Sequence, residues 1–238
     1  MNNIEHQKKS FNIKILLEIA IVFLTILSIK HLADYFDVIG AGSIAIWCGI
    51  IVSTVFMKQK KLKWKEFGFK FPIGIKNWLI NILIAIGIVI LVFSIMGFIV
   101  KPTLESFGLT NPANVADRFA FFMGKPLVFI VYLITVVWFG AALGEELLFR
   151  GYLLNRLVDC TGNNKLGIII ALIIHTIIFG MLHIYQGLAG VIATGCIALI
   201  FGSVYFIIKR KLFPIIIAHG IINSLSLIGL YLNDGVIS

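Results

Sequence analysis

The chain alternates between long apolar runs and short polar breaks, and the breaks mark out its elements. A first apolar stretch covers Phe11 to Leu32, with Lys14 and Glu18 near its start, and a second covers Val38 to Met57. Asn77 to Val100 follows, 24 residues without a formal charge. Pro126 to Gly144 adds another 19, and its helical pattern runs on through Glu145 to about Leu157, where Thr161-Gly162-Asn163-Asn164 forms a turn cluster. From Leu166 to Ile208 there are 43 residues without Asp, Glu, Lys or Arg. One crossing needs about 20 residues, so this run is two helices, broken around Gln186-Gly187. Pro214 suits the first turn of a last helix that ends near Tyr231. Continuous runs rather than alternating ones exclude a β-barrel, and in lipid only helices or closed barrels satisfy every backbone group. The pattern therefore predicts an all-α fold: a polytopic transmembrane bundle of about seven (six to eight) spans, forming one membrane domain over residues 1–238.

Composition agrees. The chain is 60% hydrophobic and 13% charged, with mean hydropathy +1.03, which excludes a soluble globular protein. A net charge of +9 could indicate nucleic acid, but its placement argues for a membrane face. Seven lysines and one acid, Glu66, lie between Lys58 and Lys76, squarely between two apolar spans, and Lys209-Arg210-Lys211 forms a second basic loop. Basic loops of this kind face the cytoplasm near anionic lipid. With the polar tail at 1–10 also inside, both loops fall on the cytoplasmic face, and residues 101–125 form an outer connection. The first span shows no small-residue cleavage site and reads as a retained anchor. The short, Ile- and Lys-rich chain points to a prokaryotic plasma membrane. Cys48, Cys160 and Cys196 show no metal spacing and read as packing residues.

Three polar insertions interrupt the later spans. Glu145 and Glu146 end an apolar run, and Arg150 lies one helical turn beyond Glu146, so those two can pair. Glu145 has no partner inside its segment. His175, Phe179 and His183 are each four apart on the fifth span, and His219 and Asn223 four apart on the last. His175 reads as a packed residue. Ionisable groups at membrane depth are costly and usually functional, and a bundle can bring such groups to one cavity. Together they offer a carboxylate to activate water, imidazoles to orient it and an amide for a developing oxyanion.

In order, EExxxR (Glu145, Glu146, Arg150), FxxxH (Phe179, His183) and HxxxN (His219, Asn223) resemble the motif set of the CPBP intramembrane proteases, also called the Abi family. That family includes CAAX prenyl endopeptidases and bacterial proteins linked to bacteriocin processing and immunity. The resemblance covers about 126–230 as a catalytic core. It implies an endopeptidase acting on a membrane-associated peptide or protein precursor. Glu145 would activate water, His183 would assist, and His219 with Asn223 would hold the oxyanion. Glu146, Arg150 and Phe179 would support them. The family is commonly described as metalloproteases. Glu145, His183 and His219 would make a His₂Glu zinc set, compatible with the sequence but not demanded by it. No HExxH is present, and glutamate-activated water without a metal is the reading slightly preferred.

Two other functions compete. A non-catalytic immunity or scaffold protein that binds a bacteriocin or sensor partner has no need of the four polar residues together. A small transporter would be expected to show paired halves. One geometric difficulty stands: in straight helices counted from the cytoplasmic side, His183 and His219 differ in depth by well over about 10 Å.

Overall fold

The computed structural model describes residues 13–110 and 112–233, and the polar tail and the first residues of the expected first span lie outside them. Among the described residues there are seven long helices and no strand. We label them α1 (Ile13–Tyr35), α2 (Ala41–Gln59), α3 (Ile75–Ser106), α4 (Pro126–Thr161), α5 (Lys165–Met181), α6 (Gly187–Ile207) and α7 (Phe213–Leu232). Five of the rods, α2, α3, α4, α6 (counted from Ile184) and α7, are long and apolar enough to cross a membrane. At 17 residues α5 is apolar but short. The long apolar run breaks between Met181 and Gly187, where a single 3₁₀ turn, Ile184–Gln186, separates α5 from α6.

Successive helices run in opposite directions, and the basic loops share one end. Gly68 accepts a hydrogen bond from the Leu212 amide (3.2 Å), and Arg210 reaches Asn163 in the α4–α5 turn (2.9 Å). At that end Glu18 of α1 pairs with Lys60 (2.5 Å) and Arg156 (3.0 Å), which explains an acid inside an apolar run. The opposite end holds the 112–125 connection. There Phe122 and Phe129 pack on Tyr231, near the end of α7.

One expectation needs correcting. Helix α3 does not stop at Val100 but continues through Pro102 to Ser106. Proline inside a helix removes a hydrogen bond and clashes with the preceding turn. Here the turn before it, Met96–Val100, is widened to i→i+5 bonding and makes room for the ring.

Helix α4 is the centre of the bundle, touching α1, α2, α5 and α7. It is also widened to i→i+5 bonding over Leu133–Leu153, a geometry that is rare and often marks functional segments. Without a hydrophobic drive between helices in lipid, close association relies on small residues at the contacts. At Gly220 on α7, the residue after His219, a side chain would lie 2.6 Å from the Trp138 ring. Trp138 therefore lies flat against the α7 backbone and donates from Nε1 to Ser224 Oγ (3.1 Å).

Candidate active site

The candidate site is built on α4, α5, α6 and α7. Glu146 and Arg150 are completely buried, and Arg150 Nη1 donates to Glu146 Oε1 at 2.8 Å. His219 from α7 reaches the same oxygen through Nδ1 at 2.7 Å. The Arg150 guanidinium lies over the rings of Phe179 (4.6 Å) and Phe201 (5.3 Å), cation–π contacts that hold it within an apolar shell. Phe179 in turn stacks on His183 at 5.0 Å. A continuous contact path thus runs His219–Glu146–Arg150–Phe179–His183.

Glu145 stands apart from its neighbour. It is half-buried and accepts no protein hydrogen bond among the described residues, though it lies within electrostatic reach of Arg150 and Tyr185. The Tyr185 ring tilts towards His183 (5.9 Å) and is capped by the Arg118 guanidinium at 4.2 Å. His183 is partly buried, and its Nδ1 bonds the Phe179 carbonyl at 2.9 Å. A carbonyl only accepts, so Nδ1 carries the proton, which leaves Nε2 as the acceptor nitrogen in the neutral ring. Asn223 is partly buried, one turn beyond His219.

The depth difficulty has a physical answer. Glu146 lies 15 residues before the end of α4, whereas His219 lies only six after the start of α7. At the α-helical 1.5 Å per residue these are about 23 Å at most, since Glu146–Leu153 lies in the widened stretch, and about 9 Å. Helix α4 therefore projects beyond the start of α7 at the lysine-rich end, and the 62–70 segment packs below that recessed start. Helix α5 begins beside the projecting tip, and His183, two residues past its end at Met181, stacks on Phe179 beside Arg150.

Not every polar atom is matched. Glu146 Oε2 and Arg150 Nε and Nη2 are buried and make no protein hydrogen bond. Both ring nitrogens of buried His175 are likewise unmatched, and its ring stacks against Phe179 at 6.3 Å. A catalytic zinc would need Glu145, His183 and His219 to converge. Among the described residues no three His, Cys, Asp or Glu side chains are gathered so as to hold a metal.

Sequence spacing gave no sign of the His219–Glu146 contact, because it joins positions 73 apart. Phe201, Trp138 and Arg118 were equally silent as single residues in apolar or mixed surroundings. Tyr185 had a faint signal: it lies two after His183, in the polar break between two helices.

A helical bundle with several membrane-crossing rods and an acid–arginine–histidine cluster buried at its central helix defines a polytopic membrane protein. Residues 126–225, from the start of α4 into α7, match the family model described as Type II CAAX prenyl endopeptidase Rce1-like, so over these residues the chain is similar to the CPBP, or CAAX protease, family. No curated protein and no solved structure matches the chain significantly.

Proposed function

We propose that the protein is an intramembrane endopeptidase in which Glu145 activates the attacking water, and that its substrate is a membrane-associated peptide or protein precursor. The observation that carries this reading is the contrast between adjacent carboxylates. Glu146 is completely buried with Oε1 shared by Arg150 and His219, whereas Glu145 is half-buried and unengaged by any protein hydrogen bond among the described residues. A carboxylate fixed between two donors positions its neighbours; a free one can accept a proton.

In this mechanism a water sits between Glu145 and Nε2 of His183. Glu145 takes one proton as the oxygen attacks the scissile carbonyl, forming a C–O bond and an oxyanion. Asn223 donates its amide N–H to that oxygen. His219, held by Glu146 at Nδ1, donates from Nε2 when protonated. As the C–N bond breaks, Glu145 returns the proton to the leaving amine, so atoms and charge balance.

The test is cleavage of a membrane-anchored reporter by purified protein in lipid. Glu145→Gln should accumulate normally and lose at least about a hundredfold in rate, the usual share of a general base. Activity within about tenfold of wild type would remove Glu145 from this role. The lysine-rich end is assigned to the cytoplasm. In a background lacking the native cysteines, single cysteines at 63 and 233 should label from opposite sides, and labelling from one side would refute the span parity.

A further inference from the structure

At the lysine-rich end, away from the candidate active site, a cleft of about 390 Å³ opens between the end of α2 and the chain that follows it. Its floor is apolar, formed by Met57, Leu62 and Trp64, and its rim carries Lys58, Lys61 and Lys63. That volume lies within the roughly 300–1,000 Å³ of small-molecule sites. The three lysine side chains are exposed and make no ion pair among the described residues; Glu66 Oε2 accepts from the Lys63 backbone N–H (3.5 Å), and nearby Lys60 is engaged by Glu18. Lys61 adopts a left-handed backbone (φ 59°), a conformation that lysine rarely takes. The turn is closed by Lys61 N to the Lys58 carbonyl (3.0 Å) and Leu62 N to the Met57 carbonyl (2.9 Å). It folds the chain back and so brings lysines from both sides of the turn to one cleft. Trp64 is fixed there by Nε1 donating to Thr54 Oγ1 (3.1 Å), and α2 is one of the helices able to cross a membrane.

An apolar floor at the end of a membrane helix beneath unpaired ammonium groups has the chemistry of an anionic amphiphile. We propose that this cleft binds one anionic phospholipid of the bilayer, its acyl chain along Met57, Leu62 and Trp64 and its phosphate on the three lysines. A zwitterionic lipid would bring a quaternary ammonium towards the same cations and be disfavoured; a free phosphate would leave the apolar floor unused. The site also touches the central helix: a side chain on Gly151, next to Arg150, would lie 3.3 Å from the Trp64 ring. This inference does not depend on the protease reading.

The experiment uses full-length protein in nanodiscs, with brominated-acyl phosphatidylglycerol or brominated-acyl phosphatidylcholine as quencher. The Trp64 signal is taken as the difference between wild type and Trp64→Phe. Phosphatidylglycerol should quench Trp64 several-fold more effectively than phosphatidylcholine at equal mole fraction. The Lys58→Gln/Lys61→Gln/Lys63→Gln variant should lose most of that preference, and each single variant part of it, as removal of near-surface charges predicts. The single variants keep the test decisive if the triple variant does not fold. Equal quenching by both lipids would overturn the proposal, as would a preference that survives loss of the lysines. Displacement of the brominated lipid by a farnesylated peptide would overturn it too, assigning the cleft to a substrate chain.

Discussion

Two polar clusters lie inside this apolar bundle, less than two turns apart on α4, and they are built on opposite principles. Nearer the lysine-rich end, Asn155 Nδ2 donates towards the carbonyls of Arg150 (3.0 Å) and Gly151 (2.7 Å) and to Tyr205 Oη (2.9 Å), while its Oδ1 accepts from Arg210 Nη1 (3.0 Å). Tyr205 passes the chain of bonds on to the Phe67 carbonyl (2.9 Å). Nothing in this clasp is left over. At the Glu146–Arg150–His219 node, three buried polar atoms remain without a protein partner. Buried polar groups are normally matched, and a half-matched network is costly. The clasp is a fastener; the node keeps three polar atoms free of protein partners. The two are joined, because the carbonyl that Asn155 holds belongs to Arg150 itself.

The sharpest way to break this contrast is to remove Arg150. Arg150→Ala leaves Glu146 at zero exposure with only the His219 ring as a protein partner, and breaking a buried pair costs about 3–5 kcal/mol. Folded yield in the membrane should collapse, and Glu146→Ala/Arg150→Ala should recover more protein than Arg150→Ala alone. A double variant less abundant than the single would show that the ion pair is not what couples them.

Asn223→Ala comes next. It should slow cleavage by about 10²–10³-fold, the cost of one oxyanion donor. Its unfolding midpoint in denaturant should barely move, since Asn223 is only partly buried. A large loss of stability with unchanged rate would place Asn223 in a fastener instead.

Asn155→Ala should show the reverse signature. It strips partners from Tyr205 and Arg210 together, at about 1–3 kcal/mol for each buried group left unmatched. The protein should unfold more easily, while cleavage per folded molecule stays within a few-fold of wild type.

The smallest effect is expected at His175. Its nitrogens have no partner to lose, so His175→Leu should shift stability by no more than about 1 kcal/mol in either direction and leave cleavage unchanged. A rate loss beyond tenfold would bring His175 into the node.

Much of the helical layout could be read from the residues, because uninterrupted apolar runs and their breaks are a one-dimensional signal. The break between Met181 and Gly187 is such a case. Where α3 ends could not be read, since proline normally stops a helix and only a widened turn, set by tertiary packing, lets it continue. The Glu146–Arg150 contact was visible as an i,i+4 spacing. The clasp was not, because Asn155, Tyr205, Arg210 and Phe67 come from separate segments and share no periodicity. Nor was the relative depth of His183 and His219, which depends on how far α4 projects, a rigid-body property that spacing does not record.

The flat seat of Trp138 on Gly220 acts as a set-screw on the distance between two chains of atoms. The 2.7 Å between His219 and Glu146 exists because α7 can come that close to α4 one residue further along. A single methyl group at Gly220 should therefore push α7 away from Trp138 and lower cleavage, with every ionisable residue intact. A genetic screen starting from Gly220→Ala should then return its revertants at Trp138, as smaller side chains that give back the lost clearance.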